Sequence, residues 1–221
     1  MRWTEQPVFF IDFEGSRAAG VLEYGVATVL GGRVTESRTR LCRATGRVRP
    51  EDSALHGLRE DDVSAQAPFA DDFGLFAGLR EHGPFAAHHA GVENGLLKSV
   101  WPYPRTSPDF ARPGKRATEW GPWIDTRTLY AQLYPTLVSL KLASLIEACR
   151  LQSELDALAA AHCPSGRRRY HAALYDALAG ALLLASLARE PWLAELGAEQ
   201  LLALSALQPE RRDAMQQGTL F

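Results

Sequence analysis

Cysteine is scarce in this chain: among 221 residues there are three, Cys42, Cys149 and Cys163, widely separated and odd in number. That excludes a disulfide framework and, with no C-x-x-C spacing, a thiolate zinc site, so all three read as thiols of a reducing compartment. His162 precedes Cys163 without any second ligand pair and is expected to be structural. Net charge is nearly absent too, at −2 with a pI near 6.3, which excludes a surface basic throughout. Any contact with nucleic acid has to be local, through metal ions and clusters of Arg and Lys. The strongest apolar run, Ala177 to Ala188, is too short for a bilayer and suits a buried helix. Residues Met1 to Pro7 hold no signal-peptide core, and a cytoplasmic location is the expectation. There is no internal repeat and no low-complexity segment.

What is present fits one α/β domain over residues 1–207, followed by a flexible polar tail at 208–221. With 46% hydrophobic and 23% charged residues, the chain can build one substantial core. The apolar run Val8-Phe9-Phe10-Ile11 leads into Asp12 and Glu14. On a strand, i and i+2 share a face, so both carboxylates project from one side. The pattern fits a site for a hard divalent ion such as Mg²⁺ or Mn²⁺, and by itself it equally fits a strand end running into solvent.

Further strands are expected at 22–30 and 33–42, joined by a hairpin at Gly31-Gly32, whose freedom at positive φ suits a tight turn. A loop around His56 leads to a helix at 69–81, with Phe69, Phe73, Phe76 and Leu79 at helical spacing. A strand at 84–88 passes into a helix at 91–100, on which Glu93 offers another acid. Residues 101–122, rich in Pro and Gly, read as a long irregular insertion. Its Trp101, Tyr103, Phe110 and Trp120 suit packing onto the body better than stacking on bases. A strand at 123–125, helices at 126–134, 139–149 and 154–162, a helix ending near Ala188 and a last helix at 190–206 complete the pattern. His171 and Asp176 would stand about 140° apart on a regular helix, so His171 is expected in the preceding loop or first turn, with Asp176 facing inward.

These segments resemble the DEDDh family of 3′-5′ exonucleases, of which the proofreading epsilon subunit of bacterial DNA polymerase III is an example. Phe9-Phe10-Ile11-Asp12-Phe13-Glu14 matches the family's first motif, and His171-Ala172-Ala173-Leu174-Tyr175-Asp176 matches every fixed position of its H-x-A-x-x-D motif. Glu23 to Ala27, His56 to Phe69 and Asp125-Thr126 resemble intermediate family features. The second motif departs from the usual A-H-N-A-x-F-D: here it reads Ala87-His88-His89-Ala90-Gly91-Val92-Glu93, with Glu in place of Asp. Gly15 stands where a Thr is common.

The resemblance implies a mixed RNase H-like sheet, three antiparallel N-terminal strands plus parallel ones, flanked by helices. It implies two Mg²⁺ or Mn²⁺ ions held by Asp12, Glu14, Asp176 and Glu93, with His171 as general base, since an imidazole titrates near neutrality. It also implies nucleic-acid contacts from Gly15, Ser16, His56 and His89, and from Arg167, Arg168 and Arg169 beside the presumed catalytic loop. A second basic patch, Arg112, Lys115 and Arg116, fits a solvated loop as well as a contact. The expected activity is release of nucleoside 5′-monophosphates from a 3′ end, on DNA in proofreading or repair; the alternatives are an exoribonuclease or a catalytically weak binding module. The last residues, Gln217-Gly218-Thr219-Leu220-Phe221, resemble the short peptides that dock on the bacterial sliding clamp, through Gln217, Leu220 and Phe221.

Overall fold

The computed structural model describes residues 1–206. The expected clamp-binding residues Gln217, Leu220 and Phe221 lie outside the described residues. In chain order the elements begin with β1 (Val8–Ser16), β2 (Gly20–Leu30) and β3 (Arg33–Leu41), then α1 (Pro50–His56), α2 (Glu60–Val63) and α3 (Phe73–His82). They continue with β4 (Phe85–Ala87), α4 (Ala90–Val100), β5 (Ser107–Pro108), β6 (Arg116–Ala117), β7 (Trp123–Asp125) and α5 (Thr126–Leu133). The last are α6 (Leu142–Ala148), α7 (Gln152–His162), α8 (Ala173–Leu187), α9 (Pro191–Ala194) and α10 (Ala198–Leu204). No helix among the described residues is long and apolar enough to cross a membrane.

The main sheet has the order β3-β2-β1-β4-β7, antiparallel from β3 to β1 and parallel from β1 to β7, as expected. Alternation along β1 divides the core. Phe9, Ile11 and Phe13 join Phe69, Phe76, Phe85 and Leu97 on one face, while Val8 and Phe10 join α8 on the other. Asp12 and Glu14 continue the Phe10 row and therefore lie on the α8 side.

Two close approaches fix α8 against that row. Gly25, the strand partner of Asp12, lies so near the start of α8 that a Cβ there would sit 2.3 Å from the Ala173 carbonyl oxygen. A Cβ at Gly180 would come within 2.1 Å of the Phe10 ring. With both positions bare, the helix settles onto the strands and brings Asp176 down towards the acids of β1. Gly15 has its own requirement: at a β-bulge after Glu14 its φ is +142°, and a Cβ would meet the Gly20 carbonyl oxygen at 2.2 Å. The glycine is demanded by the backbone, whatever it does for a substrate.

Three expected elements differ. The loop around His56 contains two short helices, α1 and α2, packed through Leu58 and Val63 onto Ala19 and Leu22. The helix expected at 190–206 is two helices, α9 and α10, because the chain turns extended at Gly197 before restarting. The 101–122 insertion is ordered around a short β5–β6 ladder, with Trp101 and Trp120 inside the core. Buried Arg80 of α3 donates to the carbonyls of Trp120 (3.1 Å), Pro108 (2.8 Å) and Gly121 (3.0 Å). Its guanidinium also stacks over Phe110, 4.9 Å from the ring centroid, so one fork-shaped cation satisfies the insertion's inward-facing carbonyls.

Candidate active site

Asp12 and Glu14 leave the sheet on the α8 side, where Asp176, in the first turn of α8, meets them. His171 lies in the loop before that helix, exposed, with a left-handed backbone at φ +61°. This turn lets its N–H donate to Asp176 Oδ2 at 2.9 Å, tying loop to helix. Glu14, His171 and Asp176 each bring a ligating atom within 4.8 Å of the others. Glu93, buried on α4, approaches from the far side of β1 and adds its field to that of Asp12.

The electrostatics are those of crowded acids. Burial, then Asp176, Glu93, Glu14 and Glu23 in turn, push the Asp12 carboxyl well above its ordinary range. Burial and Asp176 raise Glu14 to about 8. Burial and Glu14 raise Glu93 to about 8. Burial lifts Asp176 to about 7 against the opposing hydrogen bond from His171. Glu93 Oε2 and Asp176 Oδ1 are buried with no hydrogen-bond partner. Orphaned carboxylate oxygens that repel one another are the donor set a hard divalent cation takes up, and Asp12, Glu14, Glu93 and Asp176 fit that role.

The loop carrying His171 is held by charge. The buried Glu23 carboxylate on β2 pairs with Arg167 and accepts the Ala173 N–H at 3.1 Å. Arg167 also donates to the carbonyls of His56 (2.6 Å) and His171 (3.4 Å), and Arg169 to that of His56 (3.2 Å). Arg168 turns back to the carbonyls of Ala160 (3.0 Å) and Cys163 (3.4 Å) at the end of α7. Of the three arginines expected to meet nucleic acid, Arg167 is thus a strut within the protein, while Arg168 and Arg169 remain exposed.

Other expected contacts are placed as follows. The His56 ring is buried, its Nδ1 accepting from the Leu58 N–H at 3.1 Å, and burial lowers its pKa. The Ser16 hydroxyl accepts the Ala19 N–H at 3.2 Å within the β1–β2 turn. His89 is exposed beside a cleft of about 570 Å³ with Arg127 and Lys141. Its left-handed backbone caps α4, with its N–H and that of Ala90 reaching Asp125 at 3.2 and 3.0 Å. Asp125 also accepts from Arg127 and Thr128, joining the starts of α4 and α5. Arg112 pairs with Asp109, and Arg116 with Glu81. The motifs gave no sign of the Glu23–Arg167 pair. An Asp before Thr126 at a strand end did carry the signal of a helix cap.

No family model and no curated protein matches the sequence. Solved structures do match. The similar chains include exonuclease X in complex with 5′-overhanging duplex DNA, at 22% identity over 90% of this chain and 99% of that one, TM-score 0.66. They also include the nuclease domain of 3′hExo, a DEDDh family member bound to rAMP, at 15% identity over 89% and 97%, TM-score 0.62. The chain shares the fold of these two exonucleases. Exonuclease I of E. coli, in complex with a dT13 oligonucleotide, shares this exonuclease fold at 13% identity and TM-score 0.59; the match covers 86% of this chain and 42% of that longer one.

The raised acids make metal-free stability depend on pH. Their folded pKa values lie above the unfolded ones, so the folded state binds more protons; the stability these acids contribute is fully present below about pH 4 and is lost as pH rises through 7 to 8. Chemical denaturation of chelator-treated protein across that range is expected to show the decline, and Asp176→Asn to flatten it. A pH-independent midpoint would contradict the crowding. Separately, Arg167→Met leaves Glu23 buried without its partner and is expected to cost about 3–5 kcal/mol of stability in denaturant titration. A loss below about 1 kcal/mol, the range of an exposed pair, would show that Arg167 is no strut.

Proposed function

We propose that the protein is a metal-dependent 3′-5′ exonuclease that hydrolyses phosphodiester bonds at nucleic-acid 3′ ends and releases nucleoside 5′-monophosphates. The observation that carries this reading is the convergence of Glu14, His171 and Asp176 within 4.8 Å, beside two further acids, on an exonuclease fold. Asp12, Glu14, Asp176 and Glu93 would hold two Mg²⁺ or Mn²⁺ ions. Bound there, such ions supply charge neutralisation at the phosphoryl oxygens and an activated water.

The chain's own part is positional and protolytic. Asp12 and Glu14 are fixed by the sheet, and Asp176 by α8, so the acids keep their spacing without reorganising when substrate arrives. His171 sits at the exposed rim of the acid cluster, with its backbone held by Asp176 and Arg167; its ring is placed to take a proton from water at the mouth. Glu93 reaches one methylene further than the family's Asp; its Oε2 is buried without a partner, and the charges of Glu14 and Asp176 act on it.

DNA is the favoured substrate and proofreading or repair the favoured role, as for the polymerase III epsilon subunit, because the tail resembles a clamp-binding peptide. The similar structures of 3′hExo bound to rAMP and of a 3′-exonuclease recognising a histone mRNA stem-loop favour keeping an exoribonuclease as the second reading. A catalytically weak binding module is disfavoured by the retention of Asp12, Glu14, His171 and Asp176 together. The three free thiols accord with a cytoplasmic location.

Incubation with 5′-labelled and 3′-labelled DNA and RNA, with Mg²⁺ or Mn²⁺ and then chelator, is expected to give stepwise 3′ shortening that chelator stops. Asp12→Ala and Asp176→Ala should each abolish it, Glu93→Gln should remove most of it and Glu93→Asp should keep a measurable part. His171→Ala should slow it more at neutral than at alkaline pH. Undiminished turnover in either alanine variant of the two aspartates would sink the assignment.

For the tail, burying Leu220 and Phe221 is worth roughly 3–6 kcal/mol before ordering costs, enough for weak exchangeable docking. Deleting both should spare hydrolysis of short free oligonucleotides and lower activity on clamp-loaded primer ends. Equal clamp binding by full-length and truncated protein in a titration would refute the docking alone.

A further inference from the structure

Between Glu36 and Glu51 the chain carries five arginines and no acid: Arg38, Arg40, Arg43, Arg47 and Arg49. Arg40 is taken up by Asp72 and two carbonyls. Arg43, Arg47 and Arg49 are exposed and, among the described residues, have no carboxylate within ion-pair distance. The burial pattern explains their direction. Ala44 and Val48 pack inward beside Ala19, Leu22, Leu58 and Val63, which leaves the arginines between them outward.

The loop that bears them lies flush on the β1–β2 turn. The Thr45 N–H donates to the Ala19 carbonyl at 2.9 Å, and a Cβ on Gly46 would meet the Ala18 carbonyl oxygen at 2.2 Å. That turn begins three residues after Glu14 and carries Arg17, also exposed and unpaired among the described residues. A guanidinium nitrogen of Arg17 lies 3.6 Å from where a Gly95 Cβ would be, so its side chain reaches across to α4, the helix that carries Glu93. Arg17 thus stands between the acid cluster and the arginine loop, roughly 10 Å of strand beyond Glu14. The acids nearest in sequence, Glu51, Asp52, Glu60, Asp61 and Asp62, belong to α1 and α2, and the loop's cations are not neutralised by them.

We infer that Arg17, Arg43, Arg47 and Arg49 form a phosphate track that grips the single strand upstream of the scissile nucleotide. The inference rests on the exonuclease reading for its direction. It explains how a chain of net charge −2 can hold a polyanion: the cations are gathered on two segments that touch, the turn that follows the Glu14 strand and the loop seated on it. Phosphates carry the contact, so DNA and RNA are bound alike and without sequence preference.

The test compares wild type with the combined variant Arg17→Gln, Arg43→Gln, Arg47→Gln and Arg49→Gln, its fold checked by thermal melting. Binding of fluorescein-labelled trinucleotides and 20-nucleotide DNA and RNA is followed by anisotropy in Ca²⁺ across a salt series, alongside hydrolysis in Mg²⁺. For the long strands, the slope of log K against log salt should become shallower by about 0.7 for each arginine that neutralises a phosphate. Trinucleotide binding and kcat should stay as in wild type. An unchanged slope on long strands, or an equal loss on trinucleotides, would overturn the track. Salt-dependent binding without hydrolysis by wild type would leave the track standing and remove the nuclease reading.

Discussion

Mutual repulsion among buried carboxylates is the constraint around which the structure is arranged. Asp12, Glu14, Glu93 and Asp176 each favour the neutral form, first because they are buried and then because other carboxylates lie near, Glu23 in the case of Asp176, and nothing in their own chemistry holds them together without a cation. The scaffold does so instead. Asp12 and Glu14 cannot part because they lie on one strand of a five-stranded sheet. Asp176 cannot retreat because α8 rests on bare backbone at Gly25 and Gly180, and Glu23 receives the N–H of its first residue. The hydrophobic faces of α8 and β1 therefore stabilise a polar arrangement that would relax if the core let it.

Glu23 has a different part from the four. Its charge is matched by Arg167 and by a backbone donor, and the same guanidinium gathers the His56 and His171 carbonyls. A paired charge sits directly behind an unpaired cluster. The first fixes the loop, and the second is left to draw a cation.

Much of this was legible in the sequence, for identifiable reasons. The D-x-E row follows from the period of a strand, the hairpin from Gly31-Gly32, and the loop position of His171 from the angle five helical residues would subtend. What escaped depends on contacts between distant segments. The role of Arg167 needed Glu23, 144 residues away, to be known as its neighbour. The order of the insertion needed Arg80, which a helical pattern marks only as a polar residue on α3. The restart at Gly197 is a local break inside an otherwise helical run of Leu and Ala. The arginines of the 43–49 loop are spread at intervals in the sequence, and only the loop's seating on the β1–β2 turn brings them next to Arg17 and the strand that bears Glu14.

The sheet begins at β3, whose outer edge has no strand beside it among the described residues. An open edge is a template for strand addition by another molecule, and aggregation commonly starts there. Arg33, Glu36 and Arg38 stand exposed along β3, so a second copy laying its own β3 alongside would have to bury or oppose those charges. That protection is electrostatic and weakens as ionic strength rises, since the screening length shrinks from about 10 Å at 0.1 M to 3 Å at 1 M. Concentrated salt, the usual means of stripping nucleic acid from a preparation, therefore leaves this edge at its least defended.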